Sequence, residues 1–386
     1  MRSQRFLVTV LVGFVAFLSG GWLLQRGQQG GNVYQRARLF DDVVTYVAEY
    51  YVDSLGEGRL YDLAIDGFLQ ELNDPYTTFL REEDYRDLEL STTGNYSGVG
   101  MQIDVRDGWI TVIAPITGTP AEDAGINAGD RIVEIDGGST RGWNNDRAVS
   151  RLRGQAGSKV RLTIARPGLP DSLRFEVTRA RIHVKSVQYA TQLSGDVAYV
   201  SLANSSISES TARELADEIT RLRERGAKSL ILDLRNNPGG VLDQGVAVSD
   251  MFLDRGLVVV QTRGRAPGAT QTFKSENGQK WPDMPIAVLV DGFTASAAEI
   301  IAGALQDHDR ALVLGTTTFG KGLVQSLYQL NRTEFLKITT GRWFTPSGRT
   351  IQRPLNGVRG TAVAEAQASG PADAPDTTEV FHTDGG

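Results

Sequence analysis

"PIAVLVDGFTASAAEIIAGAL", residues 285–305, decides how the chain is built. The apolar run from Ile286 to Val290 has strand length, and the nearly all-apolar pattern from Ile300 to Leu305 belongs to a buried helix. A polar loop carrying Asp291, Thr294 and Ser296 joins them. "SLILDLRNNPGG", residues 229–240, repeats the plan, with a helix expected over residues 241–252. Two strand–loop–helix units about 56 residues apart predict stacked α/β layers with both loops at one sheet edge. Ligand chemistry in such folds gathers at that edge. Alternating segments at 323–330 and 335–343 are expected to complete the sheet.

Working back towards the N-terminus, residues 92–182 change character. A Gly-rich turn, "GNYSGVG", runs into an alternating strand with Met101, Ile103 and Val105 on one face. Short strands follow at 109–113, 131–135, 160–165 and 173–177, with a short helix at 146–152. This predicts a small, partly open β-barrel of about 90 residues. Residues 34–72 carry apolar residues at helical spacing, "NDPYTTFL" (73–80) breaks that pattern at Pro75, and a second helix is expected over residues 82–90. At the other end, residues 361–386 are rich in Ala, Asp, Pro, Thr and Gly and read as disordered.

The first 26 residues carry a targeting signal. Arg2 and Arg5 precede an uncharged stretch from Phe6 to Leu24, and Arg26 follows. Nineteen residues at about 1.5 Å each span roughly 28 Å, one hydrocarbon core. An uncleaved inner-membrane anchor is the first expectation, with a cytoplasmic N-terminus and the remainder in the periplasm. Cleavage of a signal peptide and secretion to the periplasm is the second. Bulk composition excludes other classes. The 386 residues include no cysteine, so disulfides and thiolate chemistry are ruled out. A net charge of -6 offers no basic field, and no nucleic-acid partner is expected.

Ser296 has an ordinary reading: Ser-x-x-Glu ahead of an apolar run is a helix capping box with Glu299. A nucleophilic role needs a base. The three histidines are His183, His308 and His382. His308 lies roughly 18 Å along the following helix, His382 is in the tail, and His183 sits at a domain junction. A Ser-His-Asp triad therefore fails, and the histidine spacing gives no metal site. A buried lysine serves as a base when its pKa falls towards neutrality. Only Lys321 occupies an otherwise uncharged setting, "LGTTTFGKGLVQSLYQL", although an ordinary loop lysine fits there too. Gln325 shares its face, roughly 13 Å away if the segment is extended. Oxyanion donors are available at the Ala297 N–H and at Gly239 or Gly240, residues that equally suit a tight turn and helix start.

"DGFTASAAEIIAGAL", "TTFGKGLVQ", "DLRNNPGG", "GRWFTPSGRTIQ" and "NDPYTTFL" together resemble the carboxyl-terminal processing, or tail-specific, proteases. The likeness runs from about Tyr34 to Arg353. It implies a Ser/Lys peptidase with a core similar to the crotonase and Clp-protease folds. Ser296 then matches the nucleophile, Lys321 the general base and Gln325 the residue that orients the lysine. Ala297 and a glycine of the Gly239–Gly240 pair match the oxyanion donors. Thr294 and Ala298 stand where many relatives carry serine. Residues 96–182 resemble the family's PDZ domain. Ser97, Gly98, Val99 and Gly100 would offer N–H groups to a terminal carboxylate, and the strand with Met101 and Ile103 would pair with the incoming tail. A plain β-turn and edge strand fit the same residues.

The expected fold class is multidomain α+β: an N-terminal membrane helix and helical segment, a PDZ-like small β-barrel, and a crotonase/Clp-protease-like α/β catalytic core. The expected boundaries are 1–26 anchor or signal, 27–91 helical region, 92–182 PDZ domain, 183–360 protease core and 361–386 tail. Relatives usually continue beyond a stretch like "FHTDGG" (381–386), so a truncated product or fragment is a further expectation. Function follows as a periplasmic serine endopeptidase acting on proteins or peptides with apolar C-terminal tails, with no metal or organic cofactor and with room for a homo-oligomer. The rival is a non-catalytic PDZ scaffold. An acyl-CoA enzyme on the crotonase fold fits poorly, because outward topology separates the site from CoA.

Overall fold

A computed structural model describes residues 33–354 and 380–386. The anchor or signal expected over 1–26 and the tail over 361–379 lie outside the described residues. Among the described residues no helix is long and apolar enough to cross a membrane.

The chain divides into two compact units, 1–73 and 74–386. In the first, α1 (33–50) and α2 (Glu57–Gln70) form a helical pair, with the Phe40 and Tyr61 rings 6.1 Å apart. The helical region expected to reach residue 91 is thus divided at Asn73. Beyond it the chain joins the second unit through β1 (Thr78–Leu80) and α3 (Glu82–Thr93).

The small β-barrel expected here follows as β2 (Asn95–Gly98), β3 (Met101–Arg106), β4 (Trp109–Pro115), α4 (Pro120–Asp123), β5 (Arg131–Ile135), β6 (Gly138–Ser139), α5 (Asn145–Leu152), β7 (Lys159–Ala165), β8 (Leu173–Thr178) and β9 (Ala180–His183). The order β3-β4-β5-β7-β8 forms one sheet with β6 beside β5, and β2 pairs with β9. Alternation decides the faces: Ile110, Val112, Ile132, Val160, Leu162 and Ile164 are fully buried and pack against Ala148 and Leu152 of α5. Strand β3 ends the order, so one of its edges has no strand partner.

The core comprises β10 (Tyr189–Gln192), β11 (Val197–Ser201), α6 (Thr211–Glu224), β12 (Ser229–Asp233), α7 (Leu242–Asp250), β13 (Val258–Gly264), β14 (Gln271–Lys274), β15 (Ile286–Val290), α8 (Ala297–Asp307), β16 (Leu312–Gly315), β17 (Leu323–Gln329) and β18 (Phe335–Phe344). Strands β11, β12, β15 and β16 run parallel, with β10 antiparallel at the edge. The adjacent parallel strands β12 and β15 deliver both loops to one sheet edge, as their patterns implied. Every residue of α8 except Gln306 is buried. It packs on β13 of one sheet and β16 of the other, which is why its sequence shows no polar face.

One expectation is corrected here. Strands β17 and β18 do not extend the parallel sheet; with β1, β13 and β14 they form a second, antiparallel one. The five-residue connection between them allows only hairpin pairing, since parallel neighbours need a long crossover. The last seven residues also differ from a disordered tail. Asp384 N–H donates to the Asp307 carbonyl (2.8 Å), its carboxylate meets His308 Nδ1 (2.6 Å), and Gly385 N–H donates to Asp309 (2.6 Å). The carbonyl end of α8 offers acceptors, and this segment supplies donors to them.

Candidate active site

Strand β15 ends at Val290, and the polar residues after it bind three loops together. Asp291 accepts N–H bonds from Asn236, Phe293 and Thr294 at 2.9–3.0 Å. Thr294, fully buried, donates its hydroxyl to the Leu234 carbonyl at 2.9 Å. Ala295 N–H donates to Asn237 O, and Phe319 N–H donates to Thr294 O, both at 2.9 Å. Thr294 is therefore explained as a strut between the β12–α7 and β15–α8 loops.

Ser296 differs in kind. Its φ of 54° and ψ of -118° place a Cβ-bearing residue in left-handed backbone space. Such a conformation costs about 1–3 kcal/mol and persists only where its surroundings enforce it. The enforcing residue is Glu299, 3% exposed. The capping-box arrangement is present: Ser296 N–H donates to the Glu299 side chain at Oε2 (2.8 Å), and Glu299 N–H also donates to the Ser296 carbonyl (2.9 Å). The same Oε2 accepts Lys321 N–H at 3.0 Å, and Oε1 accepts Gly320 N–H at 2.7 Å. Two N–H groups on one oxygen hold the Ser296 and Lys321 backbone nitrogens within about 6 Å of each other. Burial pushes the Glu299 carboxyl above its ordinary range, while the N–H bonds and a Thr318 hydroxyl bond pull the other way. The sequence marks Glu299 as a cap; its second role as the tether of the lysine loop leaves no local signature.

Gly239 is required by space as well as by its φ of 85°. A Cβ there would fall 2.7 Å from both Ala297 N and Ser296 Cβ and 2.5 Å from the Ala295 carbonyl. Its N–H is committed to Asn237 Oδ1 at 2.8 Å. The Ala297 and Gly240 N–H groups have no hydrogen-bond partner among the described residues, so they are the donors available beside Ser296.

Lys321 opens onto a cleft of about 700 Å³ that Tyr76, Pro238, Phe293, Ala295 and Lys337 also line. Its ammonium lies 4.6 Å from the centre of the Tyr76 ring. Burial, followed by the like charge of Lys337, pushes the Lys321 pKa down to about 8, against the pull of the Glu299 and Asp74 carboxylates. Burial and those two carboxylates push the Tyr76 phenol up to about 12. Gln325 sits on β17 opposite Thr339, after a bulge between Val324 and Gln325. Its buried Nε2 has no hydrogen-bond partner, and neither does the Thr339 hydroxyl. The structure brings Ser296, Ala297, Gly239 and Lys321 together through Glu299 and the glycine contact. It leaves Gln325 unbonded to the lysine.

In the PDZ domain a groove of about 220 Å³ is lined by Val99, Gly100, Met101 and Ile103, facing Val149 and Leu152 of α5. Ser97 and Gly98 do not line it; they pair with Arg181 and Ala180 in β9. Tyr96 and Arg153 also border the groove, with the guanidinium 5.5 Å from the ring centre. The helix expected over 146–152 was not assigned to the groove, although Val149 and Leu152 at i, i+3 on it were the available signal.

The profile of peptidase family S41 matches residues 196–362, and that of the PDZ domain matches residues 87–165. The chain is 39% identical over 325 residues to the carboxy-terminal-processing protease of Bartonella bacilliformis, covering 83% of this chain and 74% of that one. The chain belongs to peptidase family S41. Carboxy-terminal processing protease CtpA of Bacillus subtilis is 36% identical over 303 residues, covering 78% of this chain and 64% of its own length. Among solved structures, the photosystem II D1 C-terminal processing protease is 30% identical, covers 83% of this chain and 91% of its own, and superposes with a TM-score of 0.43. This S41 member is a serine-type peptidase of the carboxy-terminal-processing kind with a PDZ domain and an α/β catalytic core. All the candidate catalytic residues fall inside the S41 match, and the groove residues from Tyr96 to Arg153 fall inside the PDZ match.

Proposed function

We propose that this S41 peptidase cleaves peptide bonds with a Ser296–Lys321 dyad, after its PDZ groove has engaged the apolar C-terminal tail of a substrate protein. The observation that carries the reading is the Glu299 carboxylate, which binds Ser296 and Lys321 backbone through one oxygen. A serine held in left-handed backbone space and a lysine with a pKa of about 8 are thereby brought to one place.

Neutral Lys321 Nζ takes the Ser296 hydroxyl proton as Oγ bonds to the scissile carbonyl carbon and the carbonyl electrons move to oxygen. The Ala297 and Gly240 N–H groups stabilise that oxyanion. Collapse breaks the C–N bond, and Lys321 returns its proton to the leaving amine. A water, deprotonated by Lys321, then attacks the acyl carbon; the ester C–O bond breaks, and Lys321 returns the proton to Ser296 Oγ. In the described arrangement no hydrogen bond joins Lys321 Nζ to Ser296 Oγ, so the ammonium turns from Tyr76 towards the serine before reaction. Gln325, whose Nε2 and Oε1 offer both donor and acceptor, orients the amine after that turn.

The tail pairs with the free edge of β3 and places its terminal side chain among Val99, Met101, Ile103 and Leu152. Residues 6–24 anchor the chain in the inner membrane with the catalytic portion in the periplasm. Purified wild type should degrade an unfolded protein with an apolar tail, while Ser296→Ala and Lys321→Ala should each remove turnover and keep the wild-type circular dichroism. Full activity in Lys321→Ala refutes the dyad. Extraction of the chain from membranes by alkaline carbonate refutes the anchor.

A further inference from the structure

We propose that Lys337, which enters the same cleft from β18, is a positioning residue that disfavours the charged form of Lys321 by like-charge repulsion. The proposal rests on the reading of Lys321 as the general base. Strand registry places Lys337 two residues before Thr339, and Thr339 lies opposite Gln325. Alternation along β18 therefore puts Lys337, Thr339 and Gln325 on one face of the sheet, and Lys337 and Lys321 line one cleft.

Two lysines in one cleft would normally draw in carboxylates. The acidic groups that face this pair are Glu299, Asp74 and Asp84, and each is engaged elsewhere. Glu299 holds the N–H groups of Ser296, Gly320 and Lys321. Asp74 accepts from the Thr77 hydroxyl (2.6 Å) and the Tyr76 N–H (3.0 Å), while Asp84 accepts the Arg81 N–H (3.2 Å). These carboxylates act on the lysines only through space. The remaining neighbour of Lys321, the Tyr76 ring, stays a neutral phenol. Two amines so placed lose their protons as a coupled pair, and the first is lost early because the second is charged. Burial pushes Lys337 down as well. A surface lysine would be expected to pair with one of these carboxylates; this one is placed where its charge falls on the base.

The test is the pH dependence of kcat/KM, from pH 6 to 10, for cleavage of an unfolded, tail-bearing protein by the full chain. Lys337→Met keeps the stem and removes the charge; its rising limb should move up by about one pH unit, an approximately tenfold loss at pH 7 that is recovered near pH 10. Lys337→Arg retains a charge at every pH tested and should keep the wild-type limb. A uniform loss of rate or a higher KM in Lys337→Met, with the limb unmoved, makes Lys337 a structural or substrate-binding residue and overturns the proposal. Lys337→Gln serves the same purpose if Lys337→Met fails to fold. NMR titration of the Lys321 amine in a Ser296→Ala background, with and without the Lys337 change, gives a readout free of turnover. Retained activity in Lys321→Ala would instead remove the dyad reading itself, and the two failures are thereby separable.

Discussion

Replacing Lys321 by methionine should destroy turnover and stabilise the fold. The ordinary lysine value of 10.5 falls to about 8 in the folded protein, a depression of about 2.5 units. At about 1.4 kcal/mol per unit, the charged amine costs the folded state up to about 3.5 kcal/mol. Because the folded value lies below the unfolded one, that penalty is fully present below pH 8. It is relieved as pH climbs from about 8 to 10.5, so wild-type stability rises across that window. Lys321→Met retains the apolar stem, has no proton to lose and should be more stable than wild type at pH 7, with the gap closing towards pH 10. Urea unfolding followed by tryptophan fluorescence measures this, since Trp281 and Trp343 lie buried in the protease core. A Lys321→Met protein less stable than wild type at pH 7, with no narrowing of the difference at pH 10, would refute the claim that the fold buries a charged amine at a cost. The trade is the one expected when a strained or desolvated group is kept for chemistry.

Three other outcomes follow from the geometry. Glu299→Gln leaves one carbonyl oxygen for three N–H groups, so stability should fall by about 1–3 kcal/mol and turnover should drop at least tenfold, read by urea unfolding and substrate cleavage. Gly239→Ala meets backbone at 2.5–2.7 Å in a left-handed conformation and should lose more than about 2 kcal/mol together with all activity; wild-type thermal stability in that variant would contradict the packing described. Ile103→Glu puts a charge in the PDZ groove and should weaken binding of an apolar tail peptide at least tenfold by calorimetry, without shifting the thermal unfolding of the protease core.

The parts of the fold that could be read from the chain were those set by local periodicity. Strands β12 and β15, helix α8 and the PDZ strands carry short apolar runs or strict alternation, and their loops carry the glycines and polar residues that turns require. Ser296 stands out because it falls in a polar loop between two apolar runs, and Lys321 because its setting carries no other charge. Sheet membership was not legible. The ladder that places β18 beside β1 depends on registry between residues more than 250 positions apart, such as Thr78 opposite Lys337, and its pairing with β13 joins residues such as Gln261 and Phe344. Glu299 illustrates the limit best. Its bond to Ser296 spans three residues and has a sequence signature, whereas its bonds to Gly320 and Lys321 span 21 and 22 and have none. Tyr76 and Lys337 entered the site by the same kind of distant contact, and Gln325 shares a strand face with no bond to show for it.

That buried carboxylate also sets a timetable. During synthesis, a ribosome that has released only the first 310 residues has made the serine and its helix but not the amides at 320 and 321. Until those amides arrive, the carboxylate holds only the serine's own turn, and the lysine that the proposed dyad requires has not been made. On that reading, competence to cut appears late, when the third loop docks.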